Sequence, residues 1–155
     1  MNLSPHFTLE ELVASQTAAR LAIDNQPPAE IVERMRRLLA PGLEQIRAML
    51  ASPVHVTSGY RSAALNAAIP GAAANSQHTR GEAADILVPA VGGPYQVCRR
   101  IIASGIAFDQ LIFEYGNRGW CHVSFAAEPR HDVRSKFNGT TYLAGLQPDP
   151  AGAVG

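Results

Sequence analysis

The chain has 155 residues, the length of one domain with its own hydrophobic core. Hydrophobic residues make up 46% and charged residues 17%, which is typical of a globular protein and argues against disorder. The 13 Lys and Arg residues are balanced by 13 Asp and Glu residues, so we expect neither nucleic acid nor an anionic membrane as a partner. Lys136 is the only lysine.

The sequence has no clear targeting signal and only two cysteines. No segment approaches the ~18–20 consecutive apolar residues of a membrane span, and Met1–His6 lacks the basic and apolar regions of a secretory signal. Cys98 and Cys121 are too few for a disulfide framework or a cysteine-rich zinc site. We therefore expect no membrane insertion, and we expect both cysteines in the core.

The first fifty residues predict helices. Thr8 and Glu11 form a capping box that begins a short helix, which runs to about Ser15. Apolar residues at helical spacing predict a second, amphipathic helix from Ala29 to Leu50. Pro41 should kink or split this helix, because proline lacks the backbone N–H that a helix interior uses.

The rest of the chain alternates short strands with helices and loops. The predicted strands are Val54–Thr57, Ala84–Val88, Gln110–Tyr115, Trp120–Phe125 and a short edge strand at Thr141–Leu143. The predicted helices are Ser62–Ala68 and Pro94–Ser104, with a turn at Ser58–Arg61 and a loop of small residues at 69–75. Gly116–Gly119 should close a hairpin. This order predicts one α+β domain over residues 1–146, with a small, mostly antiparallel sheet covered by helices, and a flexible tail at 147–155.

One segment places unusual residues together. His78 lies in a loop, Gly81 stands where the chain must turn tightly, and Asp85 begins a buried strand. Burying an aspartate is costly without hydrogen bonds or a cation, and a metal ion is one such cation. His122 lies in a strand whose alternation puts it on one face with Trp120. Two histidines and a carboxylate match the ligand set of a catalytic zinc site, although lone histidines are more often ordinary surface or core residues.

Three motifs together resemble a known family. They are Ser58-Gly59-Tyr60-Arg61-Ser62, the segment from His78 to Asp85, and Trp120-Cys121-His122-Val123-Ser124, in this order over residues 58–125. The set is similar to the zinc D-alanyl-D-alanine carboxypeptidase family of metallopeptidases. That family includes carboxypeptidases, D-alanyl-D-alanine dipeptidases and phage L-alanyl-D-glutamate endopeptidases that cut peptidoglycan stem peptides. The N-terminal helices before the arginine turn resemble the branch found in phages and prophages.

The resemblance implies a hedgehog/DD-peptidase-like fold with its zinc-site core at about 54–126. It implies one Zn²⁺ per chain, held by His78, Asp85 and His122. Arg61 would anchor a substrate carboxylate, and its planar guanidinium suits that task, although a surface salt bridge is the alternative. Ser76 would assist Arg61, or it is simply a capping residue of the loop.

The chain departs from the family at the catalytic base. Many members carry an acid three positions before the last histidine ligand, where this chain has Gly119. Glu114 is the best substitute: a hairpin folded about residue 118 would place it opposite His122, with even-numbered residues on one face. Alternatively, Glu114 lies at a solvated strand end or supports one of the metal ligands. Glu82 is expected on the exposed side of its turn, and Trp120 either lines the cleft or packs in the core.

The leading hypothesis is a monomeric zinc peptidase that hydrolyses peptidoglycan stem peptides, of the D-Ala-D-Ala carboxypeptidase or L-Ala-D-Glu endopeptidase type. By resemblance it is a phage or prophage lysin, cytoplasmic until released and acting at the bacterial cell wall. The alternative is a non-catalytic, zinc-containing phage structural or wall-binding module. A cysteine nucleophile is excluded because Cys121 and His122 point to opposite strand faces, and the Gly-x-Ser-x-Gly elbow is absent. His6, His55 and His131 should be dispensable for metal.

Overall fold

The computed structural model describes residues 1–152. Its helices are α1 (Leu9–Val13), α2 (Gln16–Leu21), α3 (Ala29–Arg34), α4 (Ala40–Leu50), α5 (Ala63–Ala68) and α6 (Pro94–Ala103). Its strands are β1 (His55–Ser58), β2 (Ala83–Leu87), β3 (Gln110–Glu114), β4 (Trp120–Ser124), β5 (Asp132–Lys136) and β6 (Leu143–Ala144). A π-helical turn spans Met35–Leu39, and 3₁₀ turns span Gln77–Arg80 and Gly116–Arg118. The predicted α+β class is confirmed.

A six-stranded sheet with the order β1-β2-β4-β3-β5-β6 organises the molecule. All neighbouring strands are antiparallel except β3 and β5, which are parallel. One row across the sheet joins Asp85, His122, Ile112 and Arg134 as successive partners. Because partners in register project to the same face, this row places residues from four strands on one side of the sheet.

The other face of the sheet lies on the hydrophobic core. Leu111, Phe113, Cys121 and Val123 on β3 and β4 are fully buried, and α6 packs against the same two strands. The long helical segment from α3 to α4 adds its own apolar stripe of buried residues: Ile31, Met35, Leu39, Leu43 and Ile46. Both cysteines are free and buried, as predicted.

Pro41 does not break the helical segment. It lies at the first turn of α4, directly after the π-helical turn, and the residues around the junction keep right-handed helical dihedral angles. In the π turn the Ala40 N–H donates to the Met35 carbonyl, a wider loop than that of an α-helix. The wider turn accommodates a residue that has no N–H to donate, so the predicted kink or split takes the form of a local π bulge.

Two elements escaped the sequence analysis. The first helix ends at Val13, close to the predicted end at about Ser15, but the Ser15 hydroxyl then accepts a hydrogen bond from Ala18 N and begins α2, which was not predicted. The sequence also gave no clear pattern beyond Ala126, yet β5 forms there and pairs with β3. The predicted edge strand at Thr141–Leu143 is present as the two-residue β6, shifted toward the C-terminus.

The hairpin of β3 and β4 has a different register from the predicted one. Glu114 pairs with Trp120, and Ile112 pairs with His122, so the prediction that Glu114 lies opposite His122 is wrong. The chain already leaves β3 at Tyr115, whose φ is 60°, and the connection is therefore centred on residue 117 and not on 118. The predicted parity is confirmed, because even-numbered residues of both strands line one cleft.

Two remaining observations concern the surface and the C-terminus. Within residues 1–152, no helix has the length and apolar character needed to cross a membrane. In the predicted tail, Asp149 accepts hydrogen bonds from Asn117 N and Ala151 N at 2.8 Å each. Residues 153–155 of that tail lie outside the described residues.

Candidate active site

His78 is held from both sides. It lies in the 3₁₀ turn that Ser76 caps, with the Ser76 hydroxyl accepting from His78 N at 3.2 Å. Its ring nitrogen Nδ1 lies 2.6 Å from the Gly59 carbonyl oxygen. That oxygen can only accept a hydrogen bond, so Nδ1 carries a proton, and Nε2 faces Asp85 and His122. A backbone carbonyl on the second nitrogen is the usual support of a metal-ligating histidine.

Three ligand atoms converge on the cleft-facing side of the sheet. His78 Nε2 lies 3.2 Å from Asp85 Oδ1, His122 Nδ1 lies 3.0 Å from the same oxygen, and the two nitrogens lie 3.2 Å apart. Ligands at ~2.0–2.1 Å from a tetrahedral zinc are separated by about 3.3 Å. The three side chains are buried and fit a zinc ion in both chemistry and spacing.

The charge on Asp85 is strongly favoured. Burial by itself raises the pKa of this carboxyl, but the hydrogen bonds and charges of His78 and His122 outweigh it and hold the pKa well below its usual range. Asp85 is therefore an ionised carboxylate, as metal ligation requires.

Arg61 lies beside this cluster and not on the surface. It is 8% exposed, and its Nη2 donates to Asp85 Oδ2 at 3.1 Å. Nε donates to Ser58 Oγ at 3.1 Å, and Nη1 donates to Asn66 Oδ1 at 3.3 Å. The alternative of a surface salt bridge is wrong: Arg61 forms a buried ion pair that orients Asp85, with two of its five N–H groups left over.

Glu114 faces the same cleft. Its Oε1 lies 3.9 Å from His122 Nδ1, and its side chain is 15% exposed. Burial raises the pKa of the Glu114 carboxyl, and the nearby charges of His122 and Lys136 offset this only in part. A carboxyl with a raised pKa beside the ligand cluster is suited to accept and return a proton.

Gly119 explains why the base cannot stand at the family's usual position. A Cβ at residue 119 would lie 1.8 Å from the Glu114 carbonyl oxygen. No side chain fits there while the hairpin keeps this backbone. An acid three residues before His122 is therefore excluded by the backbone itself, and Glu114 is the carboxylate that the hairpin offers instead.

Trp120 and Glu82 have contrasting environments. Trp120 lines the cleft and contacts Tyr115 with ring centroids 5.1 Å apart. Its indole N–H is buried and has no hydrogen-bond partner among residues 1–152. Glu82 accepts hydrogen bonds from Gln77 at 3.2 Å and from Arg80 at 3.1 Å. The Glu82 side chain is 15% exposed, so the expected solvent exposure is wrong and its carboxylate is engaged in a polar network.

The cleft has a volume of about 970 Å³ and extends beyond the predicted residues. Lys136 and Tyr142 also line the cleft but were not among the predicted site residues: Lys136 lies in the weakly patterned segment after Ala126, and Tyr142 was expected only as part of a short edge strand. Ser76 also lines the cleft, but its hydroxyl caps His78 and does not hydrogen-bond Arg61. Within residues 1–152, His6, His55 and His131 do not join the ligand cluster.

A buried His-Asp-His cluster in an open cleft, beside a carboxyl group of raised pKa, defines a metal-dependent hydrolase site. The family model described as Peptidase M15 matches residues 5–124, and the chain belongs to this family of zinc peptidases that act on peptidoglycan. The predicted resemblance is thereby confirmed. No curated protein matches the chain.

Proposed function

We propose that this peptidase hydrolyses a peptide bond in peptidoglycan stem peptides, as a D-Ala-D-Ala carboxypeptidase or an L-Ala-D-Glu endopeptidase. We further propose a role as a phage or prophage lysin that acts at the bacterial cell wall. The observation that carries the proposal is the triangle of ligand atoms formed by His78, Asp85 and His122, with separations of 3.0–3.2 Å in the cleft of an M15 chain.

One Zn²⁺ would be held by His78 Nε2, Asp85 Oδ1 and His122 Nδ1. Three protein ligands leave a fourth position open, as in catalytic zinc sites. The chemistry that zinc supplies in such a site is polarisation of the scissile carbonyl and activation of water. The Gly59 carbonyl and the Arg61 guanidinium support this site by orienting His78 and Asp85.

Glu114 would move the proton. Its carboxylate accepts a proton from the attacking water and returns it to the amine that leaves, since its raised pKa suits both steps. Trp120 forms the neighbouring wall. The two remaining N–H groups of Arg61 would receive a substrate carboxylate, with Ser76 close by in the cleft lining.

A non-catalytic module is the second candidate, and one observation favours it. Gly119 replaces the acid that many relatives use as the base, and its backbone leaves no room for one. Such a protein would keep the zinc cluster and the cleft, and would bind stem peptides without cleaving them.

Digestion of defined stem peptides separates these candidates. Zinc-loaded protein is incubated with peptides that contain the D-Ala-D-Ala or the L-Ala-D-Glu bond, and products are identified by mass spectrometry. We expect a single bond to be cut, giving two products whose masses add up to the mass of the peptide plus one water. Removal of zinc should abolish cleavage. Intact peptides together with a full zinc content would instead contradict the proposed activity and favour the non-catalytic module.

A further inference from the structure

Lys136 is a buried cation on the floor of the cleft. It is 4% exposed and lies on β5, where it pairs in register with Glu114. Within residues 1–152 its ammonium forms no ion pair with a carboxylate; its hydrogen bonds go to the Gly71 carbonyl and the Tyr142 hydroxyl, both at 3.3 Å. Glu114 on the neighbouring strand interacts with this charge but lies beyond ion-pair distance. Burying an ammonium group that forms no direct ion pair is costly, so this arrangement is well suited to receive an anion.

Lys136 and Tyr142 each keep one hydrogen-bond donor, and the two donor groups lie close together. Lysine has three N–H groups, and the Gly71 carbonyl and the Tyr142 hydroxyl take two of them. Because the Tyr142 oxygen accepts from Lys136, its own O–H hydrogen is free to be donated. Tyr142 is 41% exposed and lines the cleft, so an entering ligand can reach the pair. One ammonium N–H and one phenol O–H together match the two oxygens of a carboxylate.

The other charged groups nearby are already engaged. Arg134 is bound to Asp132 at 2.9 Å, and Arg130 is bound to Asp109 at 2.7 Å. Arg61 holds Asp85. Arg80 is bound to Glu82 at 3.1 Å. Among the described residues, Lys136 is therefore the one lysine or arginine of the cleft lining that forms no ion pair.

The position of Lys136 indicates that it would bind a substrate group that lies outside the scissile bond. Its strand lies two strands away from β4 in the sheet order, which corresponds to roughly 10 Å at the usual strand spacing. An extended peptide covers that distance in about three residues. A carboxylate bound here therefore belongs to a residue near the cleaved bond but not to the bond itself.

We propose that Lys136 and Tyr142 form a second anion subsite of the cleft, which selects stem peptides carrying a free carboxylate within about three residues of the scissile bond. This inference rests on the proposed substrate class and adds a specificity determinant to it. The carboxylate is either the C-terminal one or one on a side chain, and both have the same chemistry.

The test compares free-acid stem peptides with two matched amides, one amidated at the C-terminus and one at the side-chain carboxylate. For the wild-type zinc protein we expect one of the two amides to lose about 10- to 100-fold in kcat/KM, mainly through KM. Lys136→Met should cleave that acid and its amide equally, whereas Lys136→Arg should retain the preference. Arg100→Met, which removes an exposed charge on α6, should behave as wild type.

A binding measurement keeps the inference separate from catalysis. Titration calorimetry of the same peptides is carried out in the Glu114→Gln background, with and without Lys136→Met. A preference for the acid that depends on Lys136 supports the subsite even if the wild type cleaves nothing, an outcome that overturns only the proposed activity. An acid preference that survives Lys136→Met, or no acid preference in any variant, overturns the subsite even when cleavage is observed.

Discussion

Arg61 and Asp85 form a buried ion pair in which the arginine holds one carboxylate oxygen and leaves the other to the histidines. Nη2 of Arg61 donates to Oδ2 at 3.1 Å, while Oδ1 lies 3.0–3.2 Å from His122 Nδ1 and His78 Nε2. The arginine of the Ser58–Ser62 turn is thus part of the candidate metal site. Its role in holding Asp85 comes in addition to any contact with substrate.

The first prediction follows from this pair. Arg61→Met should lower zinc affinity by about 10- to 100-fold, as is typical when a residue that orients a ligand is removed. Competition with a chelator of known affinity measures the effect. Arg61→Lys should restore part of it, because lysine supplies the charge but not three separate donors. Unchanged zinc affinity with a raised KM would show that Arg61 serves the substrate alone.

The second prediction concerns the proton acceptor. Glu114→Gln should lower kcat by about 10²–10⁴-fold, the usual contribution of a positioned acid or base, while zinc content stays at the wild-type level. Glu82→Gln is the matched control, since that carboxylate is engaged by Gln77 and Arg80. Glu82→Gln should keep its activity. Normal cleavage by Glu114→Gln would remove Glu114 from the mechanism.

The third prediction tests the hairpin. Gly119→Ala should destabilise the fold by about 2 kcal/mol or more, because its Cβ would meet the Glu114 carbonyl oxygen at 1.8 Å. Gly139→Ala provides the control, since nothing lies within 4 Å of a Cβ at that position. Denaturant unfolding of both variants gives the comparison. Equal stability of the two would mean that the hairpin accepts a side chain at 119 and with it the family's usual acid.

The fourth prediction is a pH dependence of stability. Hydrogen bonds from Arg130 lower the pKa of the buried Asp109 carboxyl despite its burial. A depressed folded-state pKa means that the pairing stabilises the fold above the unfolded pKa of ~3.9, and that this contribution is lost as pH falls through the lower folded value. Arg130→Met should cost about 1 kcal/mol at pH 7, because Arg130 is partly exposed. Thermal unfolding at several pH values should show that the stability difference between the wild type and Arg130→Met shrinks below about pH 4. A difference that persists at lower pH would contradict the role of the Arg130–Asp109 pair.

The candidate ligands His78, Asp85 and His122, which the family resemblance implied, lie together in the structure. A two-residue alternation places His122 and Glu114 on one face whatever the register. The register itself depends on where Tyr115 leaves the strand, which residue type alone does not specify. The outcome is that Glu114 lies diagonal to His122.

The missed strand has a different cause. Residues 132–136 alternate weakly, and β5 is held by parallel pairing with β3, which lies about twenty residues earlier in the chain. Such long-range pairing is invisible to a local pattern. The burial of Lys136 beside β3 therefore emerges only in three dimensions, although its being the only lysine is plain in the sequence.

Metal reconstitution tests the central claim most directly. Protein stripped of metal is titrated with Zn²⁺ while bound zinc and cleavage of a stem peptide are measured on the same samples. The account predicts that cleavage rises in proportion to bound zinc and levels off at one equivalent per chain, and that Asp85→Ala, with the ligand triangle broken, follows neither curve. Full zinc binding without cleavage, or cleavage that does not depend on zinc, would contradict it.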